Sequence, residues 1–398
     1  MQKRSSKRRI ALRSALLFII LLMFAACGSS SPGGSSATQA GPAEQSTVLA
    51  SNNVANNAAA GVKLGPQPCP VAVSDPAHWD PIIPTQPNVN KVESVTCANL
   101  MGKPALQALI AARSQGASGV LDIYVYDNIT SPTPTQVFKL LGLYKGSVKI
   151  SGYNTVLTGE VDQNSSVNKG QVAGGYTQDL FREFKWLEGA GTLVPVNFPG
   201  FYPDLTRYQA ESDQAAVNAG RDGWKLNAAQ VAVHFAADLL KWAGAQATVV
   251  SGGGGDGQAV VDVKSPNPGG STVHLTLERL EGNTNGGIWI VTKVETAGLS
   301  LTAPQGRDRL SSPVRVAGTG NAFEGVIGKV FVFDHLYTAI GQAGARGQGN
   351  GATSFSASIS YASTFKVGAQ EGIVALYSYS NADGSIAGAV MLKELLMP

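Results

Sequence analysis

From Ser354 to Tyr361 the chain alternates without a break. Phe355, Ala357, Ile359 and Tyr361 fall on one parity; Ser354, Ser356, Ser358 and Ser360 fall on the other. Successive side chains of a strand point to opposite faces, so this period of two sets an apolar row against a core and a hydroxyl row in water. A helix would spread the same residues around its circumference. The segment therefore predicts a half-buried strand of an antiparallel sheet. Its surroundings agree: strands are expected at 313–319, 326–334, 371–379 and 386–395, with turns at 341–351 (GQAGARGQGNG) and 381–385 (NADGS). Short strands at such spacing predict an all-β sandwich over 304–398.

Upstream the pattern is mixed. Between 201 and 303 a helix is expected over 204–219, with Asp204 as its N-cap, and a stronger one over 228–243. In the second, Asn227 is the cap, Gln230 the reciprocal position, Val231, Phe235, Leu239 and Trp242 the buried stripe, and Gly244 the terminator. Four strands follow at 246–251, 258–264, 272–280 and 288–295, a meander that suggests a cystatin-like or nuclear-transport-factor-like roll.

Between 69 and 200 the spacing of Leu106, Leu109, Ile110 and Arg113 after Pro104 predicts a helix ending at Gly116 and Gly119. Residues 119–129 (GVLDIYVYDNI) read as a strand, with Leu121, Ile123 and Val125 on one face and Tyr124 and Tyr126 on the other. More strand-rich sequence lies at 137–150 and 153–162, and the apolar stretches 180–187 and 192–196 fit either strand or helix. The expected fold class is thus α+β, a helix packed on antiparallel sheet in one or two units, followed by the all-β sandwich.

The first residues add an address. Six basic residues and no acid precede an apolar run over 15–26, which suits a signal-peptide core and is short for a membrane span. Ala25 and Ala26 stand directly before Cys27, and Gly28 follows. The segment resembles the lipobox of bacterial lipoproteins, with Phe24 where Leu is usual. That resemblance implies removal of 1–26 as a signal peptide and acylation of Cys27, palmitate included. The chain would then sit on the extracytoplasmic face of the cell membrane. Residues 27–68, without an aromatic and with only Glu44 and Lys63 charged, read as a flexible tether.

Removal of the six basic residues turns the net charge of +3 into −3, so nothing electrostatic points to nucleic acid. Two cysteines remain, Cys69 and Cys97. In an oxidising compartment they most simply form a disulfide; two free buried thiols or a metal site are the alternatives, the latter opposed by the absence of CxxC spacing.

A second resemblance concerns 304–398. Ser312-Pro313, the Val314-x-Val316-x-Gly318 strand, Phe323-Glu324-Gly325, the strand at 355–358 and the Asp383-Gly384-Ser385 turn resemble the immunoglobulin-like domain at the C-terminus of bacterial spore-germination proteins and other exported lipoproteins. The resemblance implies a small extracytoplasmic sandwich used for binding or assembly, and it brings no catalytic residues. The Gly-rich stretch 341–351 departs from the family's shorter loops.

Motifs of chemistry are sparse. Ser166-x-x-Lys169 and Ser363-x-x-Lys366 match the SxxK of penicillin-binding enzymes, but neither is followed by a KTG element. Residues 251–257 (SGGGGDG) lack the Lys-Ser/Thr of a phosphate loop and read as a hairpin connection. His78, His234, His274 and His335 show no metal-ligand spacing, so neither a metal nor another cofactor is expected. An aromatic loop at 197–208 gathers Phe198, Phe201, Tyr202 and Tyr208, with Trp224 beyond it. It is either a binding patch for glycan or peptide or a staple between two regions.

The expected function is a lipid-anchored, non-catalytic binding or assembly protein of the bacterial envelope, with an envelope protein or glycan as partner. Two alternatives stand beside it. One is an envelope glycan or wall hydrolase using acids such as Asp162, Asp179 and Glu183. The other is a small-ligand carrier.

Overall fold

The computed structural model describes residues 61–83, 90–116, 119–267, 271–282, 286–365 and 367–398. Cys27 and most of the segment read as tether lie outside the described residues. The end of that segment is fixed in place: Lys63 N–H donates to Asn99 Oδ1, Gly65 N–H to Asn154 Oδ1, and Gln67 bridges Cys97.

Antiparallel β-sheet dominates. Strands β1 (Asn90–Ala98), β2 (Gln107–Ser114), β3 (Leu121–Asp127) and β4 (Thr135–Leu143) form a four-stranded meander. Strands β5 (Ser147–Ile150), β6 (Val156–Glu160), β7 (Leu180–Leu187) and β8 (Thr192–Val196) form a second. Leu109, Ile123 and Val125 of the first share a core with Ile150, Val156, Phe184 and Leu193 of the second. On the other face, Ile110, Tyr124 and Tyr126 pack against Val73, Trp79 and Ile83, around the short helices α1 (Val71–Ser74) and α2 (Pro76–Trp79).

The helix expected after Pro104 is therefore a strand. Gln107–Ala112 is buried at every position because β2 is a central strand covered on both sides. Such a strand loses the alternation that would reveal it and reads as a continuous apolar run. A helix packed on a sheet does not describe 69–200.

The next region follows the sequence closely. Helix α3 (Arg207–Asn218) is capped by Thr206, whose hydroxyl accepts from Gln209 N–H, in place of the expected Asp204. Helix α4 (Ala228–Leu239) is capped by Asn227 through Gln230 N–H and buries Val231 and Phe235. It ends before Gly244, because Lys241 already adopts a positive φ. Strands β9 (Gln246–Ser251), β10 (Gln258–Lys264), β11 (Thr272–Glu278) and β12 (Ile290–Thr296) make the meander.

That meander continues into the last region. The meander β9-β10-β11-β12 runs on through β20 (Ile386–Leu396), β19 (Gln370–Tyr379), β16 (Val326–Phe333) and β17 (Ala339–Arg346) as one sheet, with β14 (Arg309–Leu310) alongside β20. It joins strands on both sides of the boundary expected at 303. Most of 341–351 belongs to β17; the turn expected there is confined to the residues between Arg346 and Gly351, because the small residues of β17 still pair with β16. A three-stranded sheet of β13 (Ser300–Ala303), β15 (Val314–Ala322) and β18 (Gly351–Ile359) faces it. Val316, Phe355 and Ile359 meet Val330, Val332, Val374 and Leu376 between the two. The opposite face of the large sheet carries Ile373, Ala375 and Tyr377 into a core with α4.

Candidate functional site

The five aromatic residues singled out around 197–224 do not form one exposed patch. Phe198 is buried with Ala210, Ile288 and Ile290; Phe201 and Tyr202 enter the core under α4. Gly200 makes this possible, since a Cβ there would lie 2.5 Å from the Phe198 ring and 2.7 Å from the Asp204 carbonyl. Tyr208 stacks on Phe181 (4.6 Å between centroids) and Trp224 tilts over His234 (4.2 Å). The loop is a staple: Tyr202 Oη donates to Asp238 of α4, and Tyr337 Oη donates to the Phe201 carbonyl at 2.6 Å.

The acids behave differently. Asp162 and Asp179 come together, with Asp162 N–H donating to Asp179 Oδ1 at 2.9 Å. Asp179 also accepts from Asn168 Nδ2, and His335 Nε2 lies 3.5 Å from its Oδ2. Asp162 accepts from Asn164 N–H and from the Thr364 hydroxyl. Glu183 is elsewhere, accepting from Arg207 and Thr155. Glu160, which sequence reasoning passed over, joins Asp162 in lining a cavity of about 260 Å³ with Leu141, Leu180, Arg182, Thr364 and Val367. Burial raises the Glu160 carboxyl, opposed by its ion pair with Arg182. That guanidinium also donates to the Val367 and Ala369 carbonyls. Asp162 and Asp179 brace the 161–179 loop, Asp162 also holds Thr364, and Arg182 holds Val367 and Ala369. Each carboxylate already holds donors that a reacting group would have to displace.

A second cavity, of about 200 Å³, opens between the end of α4 and the large sheet. Its wall is aromatic: Phe331 and Phe333 lie side by side with centroids 5.5 Å apart, and Tyr377 meets both at 5.7 and 6.2 Å. Tyr337, Tyr379, Ile386 and Met391 complete it, while Asp238 and Lys241 stand at the mouth. Phe331, Phe333, Tyr337, Tyr379 and Ile386 keep part of their surface in solvent. Burial raises the Tyr377 and Tyr379 phenols, so both are neutral donors at physiological pH. The parity of its wall residues is visible in the sequence, though not the pairing that brings them together. Phe331 and Phe333 alternate with Val330 and Val332, and Tyr377 and Tyr379 extend the opposite parity of Val374 and Leu376.

The remaining motifs disperse. Ser166 sits in a turn with its hydroxyl 3.3 Å from that of Thr338, where the penicillin-binding arrangement requires a helix. Lys366 lies outside the described residues. Residues 252–257 connect β9 to β10, and Arg279 holds their carbonyls at Gly254 and Asp256 while lying 4.1 Å above the Trp289 ring. His274 Nδ1 is 2.6 Å from Asp262. Among the described residues, no three His, Cys, Asp or Glu side chains converge as a metal site. Cys69 and Cys97 form a disulfide with Cα atoms 5.2 Å apart. Among the described residues, no helix is long and apolar enough to cross a membrane.

No protein-family model matches the chain, and no curated protein sequence matches it. Among solved structures, the truncated trimeric ectodomain of the C. elegans fusion protein EFF-1 aligns at 11% identity with a TM-score of 0.15, over 73% of this chain and 67% of that one. A likeness at that score carries no argument about fold or function.

Proposed function

We propose that this chain is a lipid-anchored, extracytoplasmic binding or assembly protein of the bacterial cell envelope, held through Cys27, and that its α4 cleft receives a partner. The leader sequence and the Cys69–Cys97 disulfide support the address, since disulfides persist in oxidising compartments. The pairing of β15 with β18, and their packing against β16 and β19, support an immunoglobulin-like module of the germination-protein type.

The observation that carries the binding reading is the half-open aromatic cleft. Aromatic anchors in well-packed pockets dominate interface energetics. Its volume of about 200 Å³ is small beside the roughly 300–1,000 Å³ of typical small-molecule pockets. It suits one inserted side chain better than a carried ligand.

Two measurements test this. Metabolic labelling with an alkyne palmitate should mark the wild-type chain and leave Cys27→Ser unlabelled. A photo-cross-linker at Tyr379 should yield envelope adducts that Phe333→Asp reduces at least fivefold. A native chain that begins at Met1 without acyl groups overturns the address. Adducts indifferent to Phe333→Asp overturn the cleft.

A further inference from the structure

We infer that the occupant of the cleft is a second copy of this chain, whose Phe323 hairpin tip inserts beneath α4 and links copies head to tail. The inference rests on reading the cleft as a binding site and adds its partner.

The tip is built to be presented. Phe323 and Val326 are large apolar residues at 54% and 45% exposure, at the turn between β15 and β16. Glu324 and Gly325 between them both take positive φ, at 50° and 74°, the backbone of a tight type I′ hairpin. The neighbouring hairpin holds this turn in place. Gly325 N–H donates to the Gly349 carbonyl at 2.8 Å, Gly347 N–H to the Gly325 carbonyl at 3.0 Å, and Glu324 N–H to Asn350 Oδ1 at 2.7 Å. An exposed ring on a backbone this constrained has already lost most of the freedom that binding removes, which favours its use as an anchor.

The cleft matches it in size and charge. A space of about 200 Å³ walled by Phe331, Phe333 and Tyr377 accepts one aromatic ring in edge or offset contact. Glu324 stands beside Phe323, and Arg346 is the register partner of Val326. Lys241 and Asp238 at the mouth of the cleft supply the opposite charges to that pair.

The tip does not occupy the cleft of its own chain. The Phe333 wall lies roughly 23 Å along β16 from Val326. The Tyr379 wall, on the neighbouring strand, comes closer, yet Phe323 stays 54% exposed and neither Phe323 nor Val326 lines the cleft. With each copy giving its tip to one neighbour and its cleft to another, the contact is heterologous, which propagates as an open row or closes into a ring.

The test is a photo-cross-linking residue at position 323 of the full chain, expressed in the bacterial envelope and irradiated. Expected are dimers and a ladder, with the linked peptide falling within 328–346 or 370–393 of a second copy. Lys241→Glu should cut the yield at least fivefold, and Lys241→Glu combined with Glu324→Lys should restore it. Cross-links from 323 to lipid, to another protein or to nothing overturn self-docking. The cleft reading fails separately, if adducts from Tyr379 ignore Phe333→Asp.

Discussion

The indole N–H of Trp242 donates to the carbonyl oxygen of Ile386 at 2.7 Å, across 144 residues of sequence. The bond ties the end of α4 to the first residue of β20, and Ile386 also lines the aromatic cleft. Trp242 is fully buried, so Trp242→Phe removes a donor where water cannot replace it. The loss is expected to be about 1–3 kcal/mol. A lower urea midpoint with an unchanged slope would show it. An unchanged midpoint would mean that the helix end is held by packing alone.

What could be read in advance depended on whether one side of an element faces water. The half-solvated β10 and β11 keep their alternation, and 258–264 is the span of β10 to the residue. Helix α4 shows its cap and stripe in one dozen residues because only one face is covered. Strand β2 is covered on both, so its periodicity vanished and it mimicked a helix. The aromatic loop at 197–208 was visible as a cluster, yet composition does not tell a patch from a staple; that depends on Gly200 letting Phe198 and Ile290 close over it. The cleft needs Phe331 and Tyr377 on adjacent strands, a register that no single segment encodes.

Arg207 offers a sharper test of what joins the regions. Its Nε donates to Glu183 at 2.9 Å and its Nη1 to Glu281 at 2.7 Å, with the Tyr153 ring 4.3 Å away. Both carboxylates are almost fully buried. Removing the cation leaves the Glu183 and Glu281 carboxyls without their ionic partner in a poorly hydrated seam, and Arg207→Met is expected to lose about 3–5 kcal/mol. Adding Glu183→Gln and Glu281→Gln should recover much of it, because the burden is the orphaned charge. By contrast, the exposed Lys293–Glu295 pair should change stability by about 0–1 kcal/mol when Lys293 becomes Ala. Equal losses at the two sites would contradict the buried-seam account.

The disulfide closes a loop across 28 residues and anchors the segment around Gln67 to β1. Constraining the unfolded chain over that span is worth about 3–4 kcal/mol in the chain-entropy treatment. Replacing Cys69 and Cys97 together by Ser should lower the unfolding midpoint while leaving the far-ultraviolet circular dichroism of the folded chain intact. Reduction of the wild type should reproduce the shift. If reduction has no effect on the midpoint, the bridge does not constrain the unfolded chain.

Stability should also fall as pH rises through neutrality. Burial pushes the Asp204 carboxyl up to about 7, with Lys225 opposing and Glu281 adding to the rise. Glu281 and Glu371 are likewise pushed up by burial to about 7, and Glu394 to about 9. An unfolded carboxyl releases its proton near pH 4. Between about pH 4 and 7 the native chain therefore holds protons that the unfolded chain has lost, and each rise in pH favours unfolding. For Asp204 and Glu281 the loss is complete above about pH 7; for Glu394 it continues to about pH 9. Lys393, lowered by burial to about 8, acts with the opposite sign: stability returns between pH 8 and roughly 10, where only the unfolded chain keeps the proton. The net expectation between pH 5 and pH 8 is a decline, with Asp204 contributing on the order of 3 kcal/mol. Asp204→Asn and Glu394→Gln should each flatten it, since neither replacement titrates. Urea midpoints at pH 5 and pH 8 for the three chains decide the matter, and a wild type more stable at pH 8 would refute the buried-acid account.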